Sequence, residues 1–450
     1  MPAAQTSGAS SAVTLASVVL KVQRRVMPLF VVMFIVNYID RVNIGFARQQ
    51  LESDLGFGAA AYGLGAGLFF IGYALCEVPS NILMQRFGAR VWLTRIMLTW
   101  GLVASAMVFV HTETQFYVLR FLLGVAEAGF FPGAVLYFTQ WFPASARGKA
   151  MAIFLSGSAI ASILSGPVSG SLMQLSGLGL SGWQWMFLIE GLFSVLLAFV
   201  VWRRLDSRPE DAQWLSDDEK QVLKTSLDGE QSARERGAPG HRSGLRLLRD
   251  PMIALFCFLY FSISLTIYGA TFWMPSIIMK MGNIGSFHVG LLNSVPWIIS
   301  VVAMYIFASC AARWPNQQAW ACSAFVIASI GLFASTSGGP VFAFIAVCFA
   351  AVGFKAASSL FWPIPQSYLD SRVAAPAIAL INSVGGLGGF VAPTVLGVLE
   401  QKTGSIEGGL IVLGAVSLIA GFAVLLTRRH GRGGGGVNKL NCTASPCASR

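Results

Sequence analysis

The sequence predicts an all-α transmembrane fold, twelve helices in two pseudo-symmetric six-helix bundles, and three observations predict it. Of the 450 residues, 55% are hydrophobic and only 11% are charged, less than half the charged share of about 25% in soluble domains. The apolar residues gather into runs long enough to cross a hydrocarbon core of roughly 30 Å, which takes about 20 residues of helix. The runs form two sets of six around a charged stretch. Arg147 to Pro167, opening the fifth run, is echoed by Arg372 to Pro393 in the eleventh, each a small-residue helix with a late proline. Such repetition places a binding site between the halves, near mid-membrane.

The first six runs are Val26 to Ala47, Tyr62 to Leu83, Val91 to Val110, Gln115 to Phe138, Lys149 to Leu172 and Trp185 to Trp202. The second six are Met252 to Met279, Val289 to Ala311, Ala319 to Ser335, Val341 to Tyr368, Val373 to Leu399 and Gly409 to Leu426. This divides the chain into a disordered amino tail (1–25), an N-terminal bundle (26–202), a solvated linker (203–250), a C-terminal bundle (251–427) and a disordered tail (428–450). Within the linker, Ser216-Asp217-Asp218-Glu219 offers an N-cap followed by acids, which predicts a short helix to Leu227.

The formal net charge of +11 raises nucleic acid as a partner, but the basic residues are scattered between apolar runs and form no stripe. They read instead as topology signals. Of 31 Lys and Arg, only Arg48, Lys280 and Lys402 fall on one side of the membrane, four lie inside spans, and 24 fall on the side of the linker and termini. The positive-inside rule puts that side in the cytoplasm. Five of the seven cysteines lie in apolar runs without metal or redox spacing and read as packing residues. Asn441-Cys442-Thr443 matches a glycosylation acceptor, but falls on the cytoplasmic side. No metal or cofactor is expected.

Ionised groups at mid-bilayer cost about 2.5 to 3.5 kcal/mol on insertion scales, so each needs a partner or a cavity. Five sit deep: Asp40 and Arg41, Arg120 and Glu127, and Lys355. Glu77, Arg95 and Glu190 fall nearer span ends, where snorkelling or local pairing suffices. Tyr38 and Arg41 share a helix face, and Asp40 points about 100° away with Asn37 and Asn43. The deep charges form either a structural ion-pair network or an anion site. In the second reading the arginines hold a carboxylate in bidentate fashion, and Asp40 and Glu127 take up protons that loosen their hold on Arg41 or Arg120. Lys355, with Ser359 and Trp362 on its face, either pairs with a cavity acid or meets the ligand. With both acids ionised the five groups total one positive charge, which suits a monoanion; one protonation makes two, which suits a dianion.

Ser158, Ser162, Ser165 and Ser169 form a small-residue packing stripe, from which Ser158 can reach a ligand. Asn382, in the run Asn382 to Gly389, is the polar candidate of a bending segment. Tyr73, Tyr268, Trp273 and Trp362 are aromatics that can pack a carbon skeleton. None of His111, His241, His288 and His430 lies at mid-depth, and the spans hold no nucleophile-base pair, so the sequence speaks against an enzyme.

Asn37-Tyr38-x-Asp40-Arg41-x-Asn43, Pro79-Ser80-Asn81 with Arg86-Phe87-Gly88-Ala89-Arg90, the run Arg120 to Gly133, and Trp183-Gln184-Trp185-Met186-Phe187-Leu188-Ile189-Glu190-Gly191 together resemble the anion/cation symporter family of the major facilitator superfamily. Apart from both tails, the resemblance covers the whole chain. It implies the major facilitator fold and proton-driven symport of tartrate-, galactonate-, phthalate- or hydroxyphenylacetate-type carboxylates by alternating access. It also implies that Arg41 and Arg120 engage the anion, that Asp40 and Glu127 couple the proton, and that Tyr38, Tyr73, Ser158 and Asn382 line the cavity. Arg86, Gly88 and Arg90 are the remnant of the cytoplasmic gate motif, in which Asn81 and Gln85 replace the usual Gly and Asp. Lys355 departs from the neutral residue expected there. The resemblance implies a protein of the bacterial inner membrane that works as a monomer, its partners an organic anion, a proton and the bilayer. Export, uniport and a transporter-shaped nutrient sensor are the alternatives.

Overall fold

The computed structural model describes residues 14–236, 250–314, 316–369 and 374–430; Cys442, Cys447, His241, Arg372 and the Gly-rich tail lie outside them. The described chain is a succession of helices with no sheet. Eleven helical stretches are long and apolar enough to cross a membrane. The twelfth crossing, Leu15–Val42, contains Lys21, Arg24, Arg25, Asp40 and Arg41 and is placed by its packing on spans 5 and 6.

The spans follow the predicted order. The first half holds span 1 (Leu15–Val42), span 2 (Ala59–Phe87), span 3 (Ala89–Ala106), span 4 (Glu113–Glu127 and Phe130–Trp141), span 5 (Ala144–Leu172) and span 6 (Gly182–Arg204). The second holds span 7 (Pro251–Met279), span 8 (Ser286–Arg313), span 9 (Gln317–Ala334), span 10 (Pro340–Phe361 and Pro363–Tyr368), span 11 (Ala374–Gly386 and Gly388–Thr403) and span 12 (Glu407–His430). Span 1 begins eleven residues before the expected Val26. Its 28 residues rise roughly 42 Å, more than the hydrocarbon core, so its first turns project beyond the membrane. Asn43 keeps helical backbone angles, and a second helix, Ile44–Leu55, buried over Ile44 to Arg48, carries the crossing on from it.

The linker helix is Asp217–Arg236, longer than the predicted one. Its start is as expected: the Glu219 amide donates to Ser216 Oγ at 3.3 Å and the Ser216 amide to Glu219 Oε2 at 2.9 Å, a reciprocal cap. The helix lies against the first half. Lys21 Nζ is 2.6 Å from Glu219 Oε2 and holds that carboxyl below the usual carboxylate range. Glu230 accepts from the Ala144 amide at 2.6 Å and from Arg147 at 3.1 Å, and Trp214 stacks on Trp141. The side of the membrane bearing this helix is the linker face, and its opposite is the far face.

Three spans are interrupted, spans 4 and 11 near their middles, the latter in the segment expected to bend, and span 10 six residues from its end. Span 4 breaks at Ala128-Gly129, where Gly129 has φ of +88°, span 10 at Trp362 ahead of Pro363, and span 11 at Leu387 within the glycine run. Backbone freed from helical bonding is tolerated at this depth only where protein or a cavity receives it. At the span 4 break, Ser80 Oγ donates to the Ala128 carbonyl at 2.7 Å. The breaks fall beside Glu127, Trp362 and Asn382.

The two halves meet mainly through their far-face ends. Span 2 packs on span 11 and span 5 on span 8 so closely that a Cβ on Gly63 would lie 2.1 Å from the Pro393 carbonyl, and one on Gly166 2.1 Å from that of Gly290. Ser294 Oγ donates to the Ile163 carbonyl across the second seam. Within the serine stripe, Ser162, Ser165 and Ser169 are buried, in keeping with packing. Along spans 2 and 11 the glycine-mediated approaches end at Phe70 and Gly389. The molecule is therefore sealed at the far face.

Candidate functional site

The five deep charges gather on one side of the seam, apart from Lys355, and only two of them pair. Span 1 projects Arg41 toward Glu127 of span 4: Arg41 Nε donates to Glu127 Oε1 at 3.1 Å, and Arg41 Nη2 makes a second, close contact with the same oxygen. The Glu127 side chain is fully buried, its Oε2 has no partner, and the nearby Asn37 Nδ2 has none either. Arg41 keeps 17% of its side chain exposed. It lies 5.1 Å from the Tyr73 ring and near Tyr268 on span 7, so the pair faces both halves.

Arg120 does not pair with Glu127, although the two share a helix face. Its guanidinium is fully buried, and none of its three nitrogens has a hydrogen-bond partner. Phe69 stands between the arginines, its centroid 5.3 Å from each guanidinium carbon. Asp40, expected against an arginine, faces away: it accepts from Ser194 Oγ at 3.0 Å and from the Trp100 indole. The 100° offset from Arg41 that the helix imposes sends it toward spans 3 and 6.

Glu190 corrects the sequence reading outright. It is 6% exposed and well inside the bundle, accepting from Asn43 Nδ2 at 2.6 Å and Ser169 Oγ at 2.9 Å. Span 6 begins at Gly182 rather than Trp185, which carries Glu190 into its third turn. Arg95 stays near the start of span 3, over Trp92 and in contact with Thr99, whereas Glu77 lies ten residues inside span 2, half-buried, and not at the span end the sequence suggests.

Lys355 is half-buried on span 10, its Nζ 5.3 Å from the Trp297 ring centroid, and Tyr268 is the charged or titratable group it faces. Among the described residues no carboxylate lies within ion-pair distance of it. Tyr268 thus lies near both Arg41 and Lys355. Tyr38, with Ser162, Asn293 and Trp297, lines a cavity of about 10 Å³ at the seam. Trp362 packs on Tyr260 at 4.9 Å, and Asn382 is half-buried beside the span 11 break. Ser158 donates to the Leu155 carbonyl of its own helix. Arg90 donates to the Trp202 carbonyl at 2.6 Å and Arg86 lies over Phe87, so the gate motif, turning at Gly88, is tied within its own half.

Sequence reasoning missed a second ion pair. Arg48, read as a loop charge, is 6% exposed, and its Nη2 lies 2.7 Å from Glu400 Oε1 of span 11. Trp273, expected to pack a ligand, is fully buried and donates its indole N–H to Glu400 Oε2 at 2.7 Å. Arg48 also lies over Trp273 and Tyr62 at 4.9 and 5.4 Å. The Ala60 amide donates to Gln401 Oε1 at 3.0 Å beside it. This cluster bridges the halves at the far face.

Comparison with known proteins agrees with this architecture. Residues 30–393 match the Major Facilitator Superfamily. The chain is 41% identical over 418 residues to a protein of Agrobacterium vitis named "Putative tartrate transporter", covering 92% of this chain and 96% of the relative. It is 40% identical over 405 residues to the quinolone resistance transporter of Acinetobacter baumannii, covering 90% and 92%. A solved bacterial homologue of the human lysosomal transporter Spinster, inward-facing and occupied, superposes with a TM-score of 0.73 at 17% identity over 90% of this chain and 97% of that one; this likeness concerns the fold. The chain belongs to the major facilitator superfamily and is an integral membrane transporter, not an enzyme.

Proposed function

We propose that the protein imports a small organic carboxylate, such as a sugar acid, hydroxy diacid or aromatic acid, together with protons by alternating access between its two halves. The linker helix and both termini lie in the cytoplasm of a bacterial inner-membrane protein that acts as a monomer, and the seal at the far face makes this the state open to the cytoplasm. The observation that carries the reading is the Arg41–Glu127 pair, held in the membrane interior with one carboxylate oxygen bare. Protonating Glu127 removes the charge that occupies Arg41. The freed guanidinium then offers its fork to a substrate carboxylate, and the proton and anion loads become coupled. Tyr268, next to Arg41 but rooted in the other half, gives the bound anion a contact on both sides of the seam. The relative named for tartrate supports an organic acid as cargo.

In proteoliposomes, Glu127→Gln is expected to keep exchanging labelled L-tartrate for unlabelled while accumulating at least tenfold less on an inward proton gradient. Accumulation at the wild-type level would remove Glu127 from the coupling. Export is the second reading, favoured by the quinolone resistance relative; efflux against the gradient from loaded vesicles, with no uptake, would establish it instead.

Lys355 sets the charge of the cargo. It has no acid partner among the described residues, and both it and Arg41 lie near Tyr268, so a dianion can be held at both ends. Lys355→Met is expected to weaken binding of dicarboxylates tenfold or more, about 1.4 kcal/mol, and to leave monocarboxylates within twofold. Equilibrium titration of the purified protein checks this, and an unchanged dicarboxylate Kd overturns it.

A further inference from the structure

Glu190 lies outside the anion site, yet it is built into the membrane interior with no cation beside it. Its donors are the Asn43 amide and the Ser169 hydroxyl, both fully buried. One turn on, Ser194 Oγ lies 3.0 Å from Asp40 Oδ2, so Asn43 on Glu190 and Ser194 on Asp40 form two rungs between spans 1 and 6 that place the two carboxyls about one helical turn apart. Among the described residues neither carboxyl is within ion-pair distance of a Lys or Arg. The charged groups that face Asp40 are Glu127 and Arg120, and Glu190 faces Asp40. Two buried carboxyls about one helical turn apart, with no cation between them, disfavour double ionisation, and the cluster is suited to holding one proton.

The geometry also shows where a proton fits. Asp40 Oδ1 is buried and unpartnered, and Asn43, on the same helix face, leaves its carbonyl oxygen unpartnered as well. A proton on Asp40 Oδ1 supplies the donor this pocket lacks. Sodium is the poorer occupant, because the Trp100 indole and the Asn43 amide present N–H groups to the carboxyls and an N–H cannot ligate a cation. Depth gives the cluster a direction. Counting from the far-face helix starts at roughly 1.5 Å per residue, Glu190 lies about 12 Å in, Ser194 with Asp40 about 18 Å, and Glu127 about 21 Å.

We infer that Glu190 is a third proton-carrying carboxyl, sharing a proton with Asp40 and relaying protons from the far face toward Glu127. In the relay step a water between the two turns takes the proton released from Glu190 as it gives one of its own to Asp40 Oδ1, and the negative charge moves the opposite way. The inference rests on proton coupling as proposed above, and its first test needs no substrate. In an infrared pH titration of the purified full-length protein, the wild type is expected to show a protonated-carboxyl band at neutral pH that Glu190→Gln loses and Glu127→Gln keeps. Persistence of the band in Glu190→Gln overturns the inference. In sodium-free proteoliposomes, Glu190→Gln is expected to accumulate L-tartrate on a proton gradient at least tenfold less than wild type and to keep tartrate exchange within threefold, with Glu190→Asp recovering accumulation. Wild-type accumulation in Glu190→Gln, or joint loss of exchange and accumulation, makes the residue structural and overturns the relay. Wild-type uptake that ignores the proton gradient brings down the coupling instead, while the infrared band still reports on the proton of Glu190.

Discussion

Replacing Arg120 by Met is expected to abolish uptake and at the same time raise the melting temperature of the detergent-solubilised protein. The Arg120 guanidinium is fully enclosed and none of its nitrogens reaches an acceptor. Phe69 offers only its ring face. A buried group left unsatisfied costs about 1–3 kcal/mol, more when charged, and replacing buried charge by well-packed apolar groups gains about 1–4 kcal/mol where it has been measured. Methionine fills a similar length, so the variant should melt higher by roughly 1 °C per kcal/mol gained, the scale for a chain of 450 residues at about 2.1 cal/mol/K of unfolding entropy per residue. Uptake should nevertheless fall at least a hundredfold if, as we propose, the acceptor missing from Arg120 is the anion itself. Arg120→Lys should stay inactive, since an ammonium lacks the planar fork. Thermal unfolding and L-tartrate uptake on the same preparations decide the matter. A variant that melts lower, or that still transports, would make Arg120 a structural post.

The same residues show how far the sequence alone is legible. Lipid forbids ionised groups at mid-depth, so Asp40, Arg41, Arg120, Glu127 and Lys355 stand out on position alone, and the helices follow from run length. Pairing is not legible, because it depends on which face a neighbouring span presents. Asp40 and Arg41 are adjacent in sequence yet answer to different partners, Trp100 and Ser194 for one and Glu127 for the other. The break at Gly129 is hidden inside a continuous apolar run, whereas the bend at Leu387 is announced by its glycines. Glu190 is misplaced by three residues of helix start, nearly one turn, enough to move it from a snorkelling position into the interior. Arg48 and Glu400 are 352 positions apart, and no local pattern connects them.

That distant pair sets the second large effect. Arg48, Glu400, Trp273 and Tyr62 come from both halves and meet only where the far face is sealed, so the cluster must come apart whenever that face opens. Removing one partner of a buried ion pair costs about 3–5 kcal/mol, and here the cost falls on the closed state alone. A loss of about 3 kcal/mol shifts an equilibrium by a factor of roughly 150, enough to bring a 99:1 preference near parity. Arg48→Ala is therefore expected to widen the far face in a large share of molecules, read as longer spin-label distances between spans 2 and 11, and to slow net uptake at least tenfold. The exchanged pair Arg48→Glu with Glu400→Arg should recover part of the closure. Recovery stays incomplete because the Trp273 N–H, which now donates to a carboxylate, would face a guanidinium that cannot accept it. Unchanged distances in Arg48→Ala would show that the close packing of Gly63 on Pro393 and of Gly166 on Gly290 holds the face shut without the ion pair.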